Sequence, residues 1–184
     1  MKDKTFSEET HCAIDAHTHI YPQSFIEDVR RKRFGKTVTI ERKQGGEWIV
    51  AQGRTLGKES EARNKLSLLY YDLPSRFRDM DRMGVGRQII SVAPAMTYYL
   101  TEAEANKEIA ASINDGLSAL VQNYPDRFSC MATVPLQDPQ AAAQELERAK
   151  KAGHIGVEIA SNVAGTNLND PHLDVFWAKV CELN

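Results

Sequence analysis

The feature that most constrains this chain is a strand–helix alternation that repeats four times. The strands are apolar runs at residues 12–20, 88–93, 128–134 and 155–160. The first helix, 74–83, has Phe77, Met80 and Met83 at helical spacing and stops at Gly84. The second carries Ile109, Ile113, Leu117 and Leu120 as one stripe, with Thr101 and Glu104 resembling a capping box. Asp138-Pro139 opens the third, which has Ala142, Leu146 and Ala149 on its apolar face and ends at Gly153. Asp170-Pro171 opens the fourth, with Leu173, Phe176, Trp177 and Val180 as its stripe. Such alternation implies parallel strands, helices outside them, and right-handed crossovers.

An open dinucleotide-binding sheet would need a glycine-rich first turn, which is missing here. The remaining closure is the (β/α)8 barrel, which takes about 250 residues. With 184 residues and four units, the expected fold is α/β, the N-terminal half of a (β/α)8 TIM-type barrel. The four strands should centre near Ile14, Ile90, Met131 and Val157 and be adjacent in that order. Residues 1–184 form one apparently truncated domain, with an insertion at 21–73 after the first strand. In the insertion, Pro22 breaks the strand and 25–34 form a short helix. Residues 37–42 and 47–51 alternate about Lys43-Gln44-Gly45-Gly46, the pattern of a two-stranded hairpin. An insertion beyond a strand's C-terminal end is placed to cap a site there.

Composition narrows the function classes. The net charge is -2 with 42% hydrophobic residues, so neither nucleic acid nor a membrane surface is an expected partner. No apolar run approaches spanning length, and the polar first ten residues do not read as a signal peptide. Cys12, Cys130 and Cys181 are odd in number and far apart, which fits reduced thiols and a cytoplasmic location. Arg30-Arg31-Lys32-Arg33 reads as a solvated helix face, with attraction of an anionic substrate as the lesser alternative.

The chemistry concentrates in Asp15-Ala16-His17-Thr18-His19. Strand alternation places Asp15, His17 and His19 on one face, and Ala16, Thr18 and Ile20 on the other. Two imidazoles one step apart can reach a single divalent ion, and zinc suits them. The plain alternative is two unrelated polar histidines at a strand end; the apolar lead-in and the upstream acid favour the metal. His11 and His154 precede their strands, at the wrong end for such a site, and His172 falls in an exposed helical turn.

Several motifs in order resemble the amidohydrolase superfamily, in the amidohydrolase-related branch that includes aminocarboxymuconate-semialdehyde decarboxylase. They are Ile14-Asp15-Ala16-His17-Thr18-His19-Ile20-Tyr21-Pro22, Arg78-Asp79-Met80-Asp81-Arg82-Met83-Gly84-Val85, Asn106 with its long helix, and Tyr124-Pro125-Asp126-Arg127-Phe128. Thr133-Val134-Pro135-Leu136-Gln137-Asp138-Pro139, Gly156-Val157-Glu158-Ile159 and Leu168-Asn169-Asp170-Pro171 complete the series. The resemblance implies that His17 and His19 bind a divalent metal, usually zinc, and that Asp15 shapes the strand end or supports the ligands. The family's later histidines and aspartate lie on strands beyond residue 184. Glu158 stands where many hydrolytic relatives carry a metal-bridging lysine, which favours a mononuclear, decarboxylase-like layout. It is either substrate-facing or a satisfied barrel residue. The position of the decarboxylase's substrate-binding arginine is Ser67 here, with Arg54 and Arg63 out of register, so that enzyme's substrate does not carry over.

The expected activity of the full-length parent is a metal-dependent carboxy-lyase acting on a small unsaturated or aromatic carboxylate, with a homo-oligomeric parent. A metal-dependent hydrolase of an amide, ester or lactone is the alternative within the class. An inactive truncated fragment, binding zinc weakly and lacking turnover, is the alternative outside it.

Overall fold

The computed structural model describes residues 13–43, 45–55 and 58–183. Cys12 and His11, at the expected start of the first strand, lie outside the described residues. Four strands make one parallel sheet: β1 (Ala13–His19), β5 (Val85–Ser91), β6 (Phe128–Ala132) and β7 (Gly156–Val157), in the order β1-β5-β6-β7. This is the expected half-barrel order. β7 is only two residues long, against the six expected, because a ladder is defined by its partners and among the described residues β7 pairs with β6 alone. Beyond it, β8 (Asn162–Val163) and β9 (Thr166–Asn167) form a small hairpin.

The connecting helices have local causes. α2 (Leu73–Met83) starts where the Asp72 carboxylate accepts from Ser75 N–H, and stops at Gly84, whose φ of 71° is left-handed. α4 (Pro139–Lys151) starts the same way, with Asp138 accepting from Ala141 N–H. The expected capping box of α3 (Ala103–Asn123) is not formed. Its N-cap is Glu102, without a side-chain cap bond; Thr101 Oγ1 donates instead to Tyr98 O, and Glu104 pairs with Lys107. Tyr98 has a φ of 55°, and the backbone turn it makes draws Thr101 away from the helix end. α5 (Asp174–Glu182) follows a 3-10 turn capped by Asp170.

The insertion holds α1 (Gln23–Arg30) and a three-stranded antiparallel sheet, β2 (Val38–Lys43), β3 (Gly46–Thr55) and β4 (Lys58–Lys65). The third strand corrects the two-stranded expectation. Lys58–Lys65 is charged on one face, and its alternation is carried by Ser60, Ala62 and Asn64, a pattern with little apolar signal. Ion pairs secure it, among them Arg63 with Glu41 at 2.7 Å and with Glu61. The basic run at the end of α1 is also consumed in pairs: Arg30 with Glu47, Arg31 with Glu27, and Arg33 with Asp28.

One core joins insertion and half-barrel. Val38, Ile49 and Ala51 pack into the same cluster as Phe25, Val29, Met80, Ile90, Ile109, Ile113 and Phe128. Burial of this apolar surface, worth roughly 25 cal/mol per Å², locates the insertion against the barrel helices. Two glycines permit the approach. A Cβ on Gly53 would overlap the carbonyl of Leu100, to which Arg54 N–H donates at 2.6 Å. A Cβ on Gly116, in mid-α3, would lie 2.5 Å from Pro22 Cβ. A second cluster, with Val134, Leu136, Leu146, Leu173 and Phe176, seats α4 and α5.

Candidate metal centre

The C-terminal end of β1 does not run as a plain strand. Asp15 lies opposite Gln88 and Thr18 opposite Ile90, so three steps on β1 span two on β5. This is a bulge, and its extra residue reverses the pleat. The expectation that Asp15 shares a face with His17 and His19 is corrected by it. The Asp15 carboxylate instead joins the side on which Thr18 lies: Oδ2 accepts from Gln88 Nε2 at 3.2 Å, and the Gln88 carbonyl and Thr18 hydroxyl both accept from Arg76 Nη1 at 3.0 Å. Asp15 Oδ1 accepts from the His17 backbone N–H, 3.2 Å away, which satisfies a donor that the bulge frees from the ladder.

Downstream of the bulge the two imidazoles stand together. The rings of His17 and His19 are edge to face, with centroids 4.8 Å apart. Ser91, fully buried at the end of β5, places its hydroxyl 3.3 Å from His19 Nδ1. A hydrogen bond on one ring nitrogen orients the imidazole and fixes its tautomer, as second ring-nitrogen partners of metal-binding histidines do. Burial holds the His19 pKa below its ordinary value, helped by the neighbouring His17 and opposed by the Glu158 carboxylate. His19 is therefore predominantly neutral at pH 7, the form that donates a lone pair.

Glu158 lies directly after β7, half-buried, its N–H donating to Ala132 O at 2.7 Å. Its carboxylate acts to raise the pKa of both His19 and Tyr99. Among the described residues no three histidine, cysteine or acidic side chains converge on one point. The donor set fits a divalent metal as two imidazoles with an acid nearby, the part of a site that these four strands can supply.

Among the described residues the other histidines are not part of this cluster. His154 is 3% exposed and bonds Ser118 Oγ at 2.9 Å; His172 is exposed in its turn. Sequence reasoning missed Arg76, Gln88 and Ser91. Gln88 and Ser91 left a signal, as polar residues inside a buried apolar strand; Arg76 left none, since an arginine beside an apolar helical stripe reads as solvated. Its guanidinium is instead drawn inward, donating through Nη2 to His19 O at 2.8 Å and Leu69 O at 3.0 Å.

Comparisons with known proteins bear on the family and the fold. The chain is 27% identical over 170 residues to 2-amino-3-carboxymuconate-6-semialdehyde decarboxylase of Dictyostelium discoideum, covering 92% of this chain and 45% of that protein. It is 42% identical over 86 residues to gamma-resorcylate decarboxylase of a Polaromonas species, covering 46% of this chain and 26% of that one. Among solved structures, 5-carboxyvanillate decarboxylase of Novosphingobium aromaticivorans, complexed with manganese and 4-hydroxy-3-methoxy-5-nitrobenzoic acid, superposes with a TM-score of 0.67 at 24% identity, over 92% of this chain and 47% of that one. The chain thus spans about half the length of the first curated relatives it matches. The amidohydrolase family model matches residues 14–184, nearly the whole chain, and the chain belongs to the amidohydrolase family.

Proposed function

We propose that this chain supplies the metal-binding half of a decarboxylase acting on a small aromatic or unsaturated carboxylic acid. The observation that carries the reading is the paired presentation of the His17 and His19 imidazoles past the β1 bulge. In this reading His17 and His19 hold a divalent metal, and Asp15 and Ser91 fix the backbone and the ring that present them. Zinc suits imidazole donors, and manganese is the ion bound in the 5-carboxyvanillate decarboxylase structure. The metal, when bound, supplies positive charge against the substrate carboxylate and the negative charge that develops as carbon dioxide leaves.

The chain's own residues then orient the substrate and exclude water. A cleft of about 320 Å³ opens between β3 and β4, the loop after β5, and the segment after β7. We assign this cleft, which Ala51, Ala62, Tyr99, Leu100 and Ala160 line and which His17, His19 and Glu158 do not, to the apolar part of the substrate away from its carboxylate. We assign residues 21–73 as a cap over this face, and Glu158 as the acid facing the substrate from β7. In the reaction the bond from the ring carbon to the carboxyl carbon breaks, its electron pair stays on the ring carbon, and a proton replaces carbon dioxide there. The proton donor belongs to the rest of the barrel.

Product analysis on the protein carrying the complete barrel tests this. Release of one carbon dioxide per substrate consumed, abolished by His17→Ala, is the expected outcome. Addition of water to an amide, ester or lactone with no carbon dioxide would assign the hydrolase alternative instead.

A further inference from the structure

We propose that Arg76 is the positioning residue of the histidine pair, fixing the phase of the β1 bulge on which both imidazoles depend. This inference rests on the metal-binding reading of His17 and His19, and adds the residue that enforces it.

Arg76 belongs to α2, a different element from the strand it controls. Its guanidinium spends four hydrogen bonds on neutral oxygens: Thr18 Oγ1, Gln88 Oε1, His19 O and Leu69 O, at 2.8–3.0 Å. Thr18 Oγ1 and His19 O are on β1, on consecutive residues that follow the register shift. Gln88 is 4% exposed and passes the contact on to Asp15, which receives the His17 N–H. Arg76 therefore holds the strand directly just after the point where the pleat reverses, at Thr18 and His19, and before it, at Asp15, through Gln88. A register slip of one residue would turn the imidazoles to the opposite face, and would break these bonds together.

A role limited to stability would not need this geometry. Arg76 is half-buried, with its Nε buried and without a hydrogen-bond partner, and desolvation pulls its pKa down. A guanidinium placed solely to stabilise would ordinarily meet a carboxylate directly. Here the acid of the strand, Asp15, is joined to Arg76 by way of Gln88. Lysine cannot replace the fork, because an ammonium is a point donor and cannot bridge Thr18, Gln88 and the His19 carbonyl in one plane.

The test is Mn2+ titration of the 184-residue chain, followed by paramagnetic broadening of the His17 and His19 ring resonances, with thermal melts alongside. In the wild-type chain both rings should broaden over the same range of Mn2+. Arg76→Lys, which keeps the charge, should need about ten- to a hundred-fold more Mn2+, and should broaden the two rings unequally while remaining folded. Thr18→Val removes one acceptor with little change in shape. It should move the same readout in the same direction and serves if Arg76→Lys fails to fold. Equal broadening at wild-type concentrations in both variants would overturn the positioning role while leaving the metal site intact. Absence of broadening in the wild-type chain would overturn the metal-binding reading, and this inference with it.

Discussion

The backbone N–H of His17 donates to the carboxylate of Asp15 across 3.2 Å, two residues back along the same strand. A regular strand would send that N–H to a neighbouring chain. The bond marks the place where β1 leaves the ladder, and in the proposed reading Asp15 supports the histidines and is not a ligand beside them.

Asp15→Ala should therefore weaken metal binding without abolishing it. The expected loss is about ten-fold, in the range for supporting hydrogen bonds, against complete loss for His17→Ala. Isothermal titration with Mn2+ or Zn2+ measures both. Equal, complete loss in Asp15→Ala would make the carboxylate a ligand.

Ser91→Ala removes the hydroxyl 3.3 Å from His19 Nδ1 and frees the ring to rotate. Metal affinity should fall several-fold, and the two ring nitrogens of His19 should exchange tautomers more freely. Nitrogen chemical shifts of the His19 ring report this directly. Unchanged shifts would show that Ser91 does not orient the ring.

Gly53→Ala should detach the insertion sheet from the barrel loop, because the new methyl would overlap the Leu100 carbonyl. Overpacking of this kind costs about 1–3 kcal/mol, a fall of several degrees in the melting temperature. Hydrogen exchange at Arg54 N–H, which bonds Leu100 O, should rise more than exchange in β6. Uniform change across both would place the cost elsewhere.

His154 makes the fold acid-sensitive. Burial holds its pKa below the ordinary value; its bond to the Asn114 carbonyl and the nearby Glu145 oppose this, while Arg148 adds to it. The unfolded chain therefore takes up a proton near pH 6.5 that the folded chain refuses. Stability should be constant above about pH 7, decline as pH falls below 6.5, and level off once the folded-state pKa is passed. Urea melts from pH 8 to 5 follow this, and His154→Gln should flatten the decline. An unaltered slope in that variant would assign the acid sensitivity to other groups.

The half-barrel was legible because its signals are local. Caps followed by proline at Asp138 and Asp170, the glycine stop at Gly84 and the apolar stripes each act within a few residues. β4 was not, since Lys58–Lys65 is held by ion pairs and by its ladder to β3, interactions set by tertiary position. The histidine pair was visible in its two-residue spacing. The side taken by Asp15 was not, because a bulge depends on the partner strand and on Arg76 and Gln88, which stand 58 residues or more further along the chain than Thr18 and Asp15. Alternation alone predicts the unbroken pleat.

The most direct test of the account is metal stoichiometry in the chain with both histidines present and in His17→Ala/His19→Ala. Equilibrium dialysis against Mn2+ or Zn2+, followed by elemental analysis, should find one ion per wild-type chain at saturation and none in the double variant, with matching far-ultraviolet circular dichroism. Retention of one ion by the folded double variant would contradict the assignment of His17 and His19 as the metal site.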